Sequence, residues 1–193
     1  MRRPTGSANA SSTAACYSGD VNAITLDLEP GLPPEPFNVA TARVNEWRGR
    51  TLHAFARAET AVTEYLLALA AIEGRGDRIL LPHLIGHKFE ALSLAIGPGS
   101  SFEQEGSAAI PALTKVRSDL GLRNILCHGT TQITLDRSGR WTVVLRSVSL
   151  RSKRAIRETQ VLTETEAEEV RDRISRASQE LCSRLDHARK RLR

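Results

Sequence analysis

Apolar residues recur along this chain first at helical spacing and then at strand spacing. From Asn38 to about Glu73 the positions Leu52, Phe55, Val62, Leu66 and Leu69 return at three- and four-residue steps. That spacing predicts a helix with one buried face, divided in two if Gly49 interrupts it. Beyond the loop EGRGD, the segment ILLPHLIGHKFEALSLAIG carries a second stripe on Leu81, Ile85, Phe89, Leu92 and Ile96, ended by Gly97, Pro98 and Gly99. A third helix is expected from about Ala108 to His128, with Ile110, Leu113, Val116 and Leu120 on one side and Gly129 as its C-terminal cap. The period then shortens. TTQITLDRSGRWTVVLRSVSL alternates β-favouring residues around the turn signal Asp136 to Gly139, which predicts a hairpin, with a short third strand near Ile156. Thr163 and Glu166 have capping-box spacing and open a last helix striped by Val170, Ile174, Ala177, Leu181, Leu185, Ala188 and Leu192. The expected fold is mainly α, a bundle of four to five helices with a small β-hairpin, about residues 130–160, before the C-terminal helix.

Composition sets the outer limits. The 193 residues include 40% apolar side chains, the make-up of one ordinary globular domain able to bury roughly two-thirds of its unfolded surface without a staple. Residues 1–36 are rich in Ser, Ala, Gly and Pro, close on EPGLPPEPF and follow neither period, so they read as a disordered tail preceding a domain over 37–193. The opening MRR is followed by no leucine-rich stretch of signal-peptide length, so export is not expected. The longest uncharged apolar run, Tyr65 to Ile72, is far too short to cross a bilayer. Three cysteines, Cys16, Cys127 and Cys182, lack CxxC spacing and argue against a disulfide framework, which fits a reducing cytoplasm. Charge is uneven: residues 1–110 carry a net −3 and residues 111–193 a net +8. Of the 27 basic side chains 23 are Arg, whose planar donor fork suits phosphate. A GC-rich coding sequence produces the same bias, so composition alone decides nothing about phosphate.

The most informative letters are LRNILCHG, Leu122 to Gly129, which set Arg123, Asn124 and His128 at the end of an apolar helix. This segment resembles the motif of the HEPN superfamily, an Arg followed after four to six residues by a His, often with a polar residue directly after the Arg. The helical layout of residues 40–190 is similar to that family as well. The resemblance implies metal-independent RNA cleavage of the kind used by toxins and antiviral effectors, in which a ribose 2′-oxygen attacks the adjacent phosphorus and leaves a 2′,3′-cyclic phosphate. On it Arg123 and His128 are catalytic, Asn124 supports them, and no cofactor is required. His can move a proton near neutral pH, and Arg can stabilise charge on the phosphorane. Residues five apart on an ideal helix diverge by about 140° at roughly 100° per residue, so one helix makes a poor pincer. The resemblance answers this with a homodimer whose motifs meet in one cleft, and it brings an antitoxin or a nucleotidyltransferase into view as partner. The competing readings are a non-catalytic HEPN-like dimerisation or RNA-binding module and a regulatory subunit. In the first, Arg123 caps its own bundle through a buried carboxylate and His128 caps a helix end.

Four further features have two readings each. Glu59 lies on the first apolar stripe, where a carboxylate is costly to bury unpaired. Either it has a cationic partner, for which the resemblance suggests Arg123, or it sits solvated at the stripe edge. His83 and His87 are four apart and fit a metal pair only if a third ligand joins them, which the sequence does not supply. Cys127 reads more simply as a small buried residue than as a nucleophile. Arg137, Arg140, Arg146, Arg151, Lys153, Arg154 and Arg157 occur without an intervening acid, with Trp141 among them. They could track an RNA backbone and stack a base, or form a solvated face.

Overall fold

The computed structural model describes residues 35–151 and 154–192. The expected disordered tail lies outside them except for its last two residues, Glu35 and Pro36. Pro36 opens helix α1, Pro36–Ala70, where its fixed φ and missing N–H suit the first helical turn. It is followed by α2 (Ile85–Ile96), the single turn α3 (Glu103–Gly106), a 3₁₀ turn (Ser107–Ala109), α4 (Ile110–Ser118), α5 (Leu120–His128), strands β1 (Thr130–Leu135), β2 (Trp141–Arg151) and β3 (Arg154–Thr163), and α6 (Glu164–Lys190).

The long helices α1 and α6 lie side by side and parallel. Trp47 Nε1 donates to the Ala167 carbonyl at 2.6 Å, Cys182 Sγ lies 3.7 Å from the Arg57 carbonyl, and Arg189 reaches Glu64 at 3.5 Å, so the ties advance together along both helices. Between them Val44, Phe55, Val62, Leu66, Ile174 and Leu181 are buried. Helix α4 runs the opposite way along α6, with Lys115 on Glu180 and Asp119 on Arg173 at 3.0 and 2.7 Å. The Thr163–Glu166 capping box forms in full, which satisfies donors that the first turn of α6 would otherwise leave open. No described helix is long and apolar enough to cross a membrane.

Four expectations are corrected. Gly49 does not divide α1: nothing lies within 4 Å of where its Cβ would be, and the α1–α6 packing on both sides outweighs the roughly 1 kcal/mol a mid-helix glycine costs. The second helix begins only at Ile85, because Pro82 lacks the N–H a helix needs and forces Leu81 out of the α region. Leu80, Leu81 and Leu84 are consequently exposed, not in the core, and His83 stands outside the helix that was to align it with His87. The third helix is broken at Asp119, with φ −97° and ψ 4°. The third strand is ten residues long, not short, and with the hairpin it makes a three-stranded antiparallel sheet ordered β1–β2–β3.

The sheet buries one face. Register pairs Leu135 with Trp141, Ile133 with Val143, and Val143 with Leu162, and Trp141, Val143, Leu145 and Leu162 are all in the core. Alternate residues face outward. Trp141 packs against Trp47 of α1 with ring centroids 6.2 Å apart, joining the sheet to the α1–α6 pair.

Candidate functional site at the end of helix α5

The break at Asp119 re-aims the chain so that α5 packs through Leu122, Ile125 and Leu126. Asp119 holds this junction by ion pairing with Arg173 of α6, and the pairing raises the Arg173 pKa. Burying that side of α5 leaves the polar motif residues outside. Asn124 and His128 are exposed and Arg123 is half-buried. Arg123 Nη1 donates to Asn124 Oδ1 at 3.4 Å, and neither Arg123 nor His128 has a carboxylate partner among the described residues. The His128 side chain makes no hydrogen bond among them.

The suggested Glu59–Arg123 pair is not formed. Glu59 does have a cationic partner, but it is Lys88 of α2, with Nζ 2.8 Å from Oε1 and both side chains largely buried. Arg123 lies on α5, which leaves α1 near Arg48 and not near Glu59. Lys88 was legible only in hindsight: it falls on the same helix as Phe89 and Leu92, one residue off their stripe.

The carboxyl end of α5 is clamped from two sides. Arg48 Nε of α1 donates to the Leu126 carbonyl at 2.7 Å, satisfying one of the last-turn acceptors that a helix leaves open. On the other side β2 approaches Gly129. This glycine is the C-cap, as expected, and it is extended, with φ −84° and ψ 161°. Its requirement is space: a Cβ there would stand 2.5 Å from the Ile125 carbonyl oxygen and 2.8 Å from that of Arg146. Both obstacles are backbone, so Gly129→Ala must push α5 from β2, and overpacking of this kind costs about 1–3 kcal/mol. A lowered denaturant midpoint at unchanged slope is the expected result; a wild-type midpoint shows that the helix and strand do not meet this closely.

The basic hairpin residues do not form one stripe. Arg137 and Arg140 sit at the β1–β2 turn, while Arg154 lies opposite Arg151 at the far end of β2, about 33 Å away for ten strand steps, and Arg157 opposite Val148, about 23 Å away for seven. Arg140 is engaged with Asp136 at 3.1 Å. Asp136 accepts from the Ser138 hydroxyl and the Arg140 N–H, which hold its pKa down at about 2. Arg146 projects from mid-sheet and donates to Gln132 at 3.0 Å. Register puts Arg146 and Arg157 on the outward face and Arg154 on the opposite one. Lys153 and the Arg151 side chain lie outside the described residues. Trp141 does not stack a base, because it is only 3% exposed and packed on Trp47.

Cys127 is half-buried and, like Cys182, a free thiol. Among the described residues no group of three His, Cys, Asp or Glu gathers to hold a metal. A groove of about 490 Å³ between α4 and α6 is lined by Asp119, whose carbonyl accepts from the Arg123 N–H, but not by Arg123 or His128, and a polar groove of about 390 Å³ between α1, β2 and α6 includes Arg43, Arg50 and Arg171. No protein-family model, no curated protein and no solved structure matches the chain.

Proposed function

We propose that this protein is a HEPN-like, metal-independent endoribonuclease whose chemistry is carried by Arg123 and His128, with Asn124 orienting Arg123. The supporting observation is that neither Arg123 nor His128 is held by an ion pair among the described residues. A motif serving bundle stability would place a carboxylate on Arg123, yet Glu59 belongs to Lys88, and the side-chain hydrogen bond of Arg123 among the described residues goes to its neighbour Asn124. His128 is open to solvent at the helix end. In the proposed reaction the 2′-oxygen forms a bond to phosphorus as its proton leaves, and the bond from phosphorus to the 5′-oxygen breaks as that oxygen gains a proton. His128 serves one of these proton transfers and Arg123 faces the charge that builds on the phosphorane.

The second reading, a non-catalytic HEPN-like dimerisation or RNA-binding module, is favoured by the position of Arg123 and His128 five residues apart on α5, which turns them about 140° away from one another in one chain. Both readings expect a homodimer. In the catalytic one the partner's α5 supplies the missing wall of the site. Light scattering should give twice the chain mass, and a strict monomer at high concentration counts against a composite site. The assay that decides function is cleavage of single-stranded RNA by the purified chain in EDTA, with a 2′,3′-cyclic phosphate at the new end.

A further inference from the structure

Three arginines line the first half of α1, and their engagements differ. Arg43 pairs with Glu164 at 3.4 Å and Arg50 with Glu46 at 2.6 Å. Arg48, between them and half-buried, has no carboxylate among the described residues. Its Nε is bound to the neutral carbonyl of Leu126, and its Nη1 and Nη2 make no hydrogen bond among those residues. A carbonyl in a helix points along the axis toward the carboxyl end, so the guanidinium lies just past the turn that carries His128. One donor fixes its plane, and the terminal fork remains free. That fork matches two oxygens of a phosphate. Because its anchor is neutral, Arg48 keeps its full charge for an anion, unlike Arg43 and Arg50. The strand that closes the same end approaches through its backbone, the Arg146 carbonyl lying against Gly129, while the Arg146 side chain turns to the outward face and donates to Gln132.

We propose that Arg48 is a phosphate-binding residue at the carboxyl end of α5, contacting the backbone of single-stranded RNA from the same chain that supplies His128. The proposal rests on the RNA reading of this site. It assigns to α1 a contact that neither the motif nor the basic hairpin predicts.

The test is binding of the full chain to a labelled single-stranded 2′-O-methyl oligoribonucleotide, which lacks the attacking hydroxyl, over a series of salt concentrations. Each single-strand phosphate contact contributes about 0.7 to the slope of log K against log salt. Arg48→Gln should weaken binding and flatten the slope by about that amount, and Arg48→Lys should restore the slope, which counts charge, but not the full affinity, because an ammonium cannot hold the Leu126 carbonyl and fork a phosphate together. Melting curves accompany both, with Arg48→Met as the uncharged comparison if Gln unfolds the chain. Equal slopes for the wild type and a folded uncharged variant overturn the proposal and leave Arg48 as a helix cap. If the wild type cuts unmodified RNA while the slopes stay equal, only the Arg48 assignment fails. If the slope flattens but no RNA is cut, Arg48 stands and the catalytic reading fails. If the wild type binds no oligonucleotide, the Arg48 assignment falls, and cleavage of unmodified RNA decides the catalytic reading.

Discussion

His128→Ala should abolish cutting of single-stranded RNA and leave the fold intact. Proton transfer by a positioned side chain is typically worth about 100- to 10,000-fold, so the variant's rate should fall by at least two orders of magnitude. The structural side is equally specific. His128 is exposed and its side chain makes no hydrogen bond among the described residues, and a surface substitution of that kind usually shifts stability by less than about 0.5 kcal/mol. Arg123→Ala should likewise lose at least about 100-fold, by removing charge stabilisation. It does not strand a buried carboxylate, because Glu59 keeps Lys88. Both variants should therefore melt near the wild type, and circular dichroism checks it. A folded His128→Ala protein that cuts as fast as the wild type ends the catalytic reading, and so does a folded wild type that cuts nothing in EDTA under varied conditions. Either result leaves the binding module in its place.

Periodicity made the long elements legible, and the departures follow from physics that periodicity does not carry. The stripe of α6 and its capping box needed nothing beyond their own letters. The break at Asp119 did leave a trace: continuing Ile110, Leu113, Val116 and Leu120 along one straight helix would next bury Asn124 and Cys127. The apolar residues are instead Leu122, Ile125 and Leu126. That jump in phase marks a change of helix direction, and it is what turns Asn124 outward. Pro82 announced the late start of α2 equally plainly, though the leucines around it imitate a core stripe. Long-range pairings are different in kind. Nothing local distinguishes Lys88 from Arg123 as the partner of Glu59, or shows that Arg48 meets the Leu126 carbonyl 78 residues away. The motif letters identify the candidate site, and only the packing of α1 against α5 reveals that Arg48 stands beside it.

Trp141→Ala should be among the most destabilising single substitutions in the chain. An aromatic residue among seven arginines and lysines reads from its neighbours as a surface for bases, yet its place on β2 sets it on the inward face, paired in register with Leu135. It is 3% exposed and meets Trp47 at 6.2 Å with the rings tilted by 47°, a geometry worth about 0.5–1.5 kcal/mol beyond burial. Trp47 is in turn tied to the Ala167 carbonyl, so the ring at 141 fills the junction of sheet, α1 and α6. Emptying such a site costs about 3–5 kcal/mol, against a total of about 5–15 kcal/mol for a typical domain. Trp141→Phe should cost much less. The indole Nε1 of Trp141 has no hydrogen-bond partner among the described residues, so Phe gives up ring volume while removing a buried donor that is already unsatisfied. Chemical denaturation of the three proteins checks the order wild type, Phe, Ala. RNA binding by a folded Trp141→Leu variant, which has no ring to stack, separates the two roles: an inward Trp141 predicts affinity unchanged from the wild type, whereas a loss of about 1–3 kcal/mol, the usual value of one stacked base, would return Trp141 to the RNA surface.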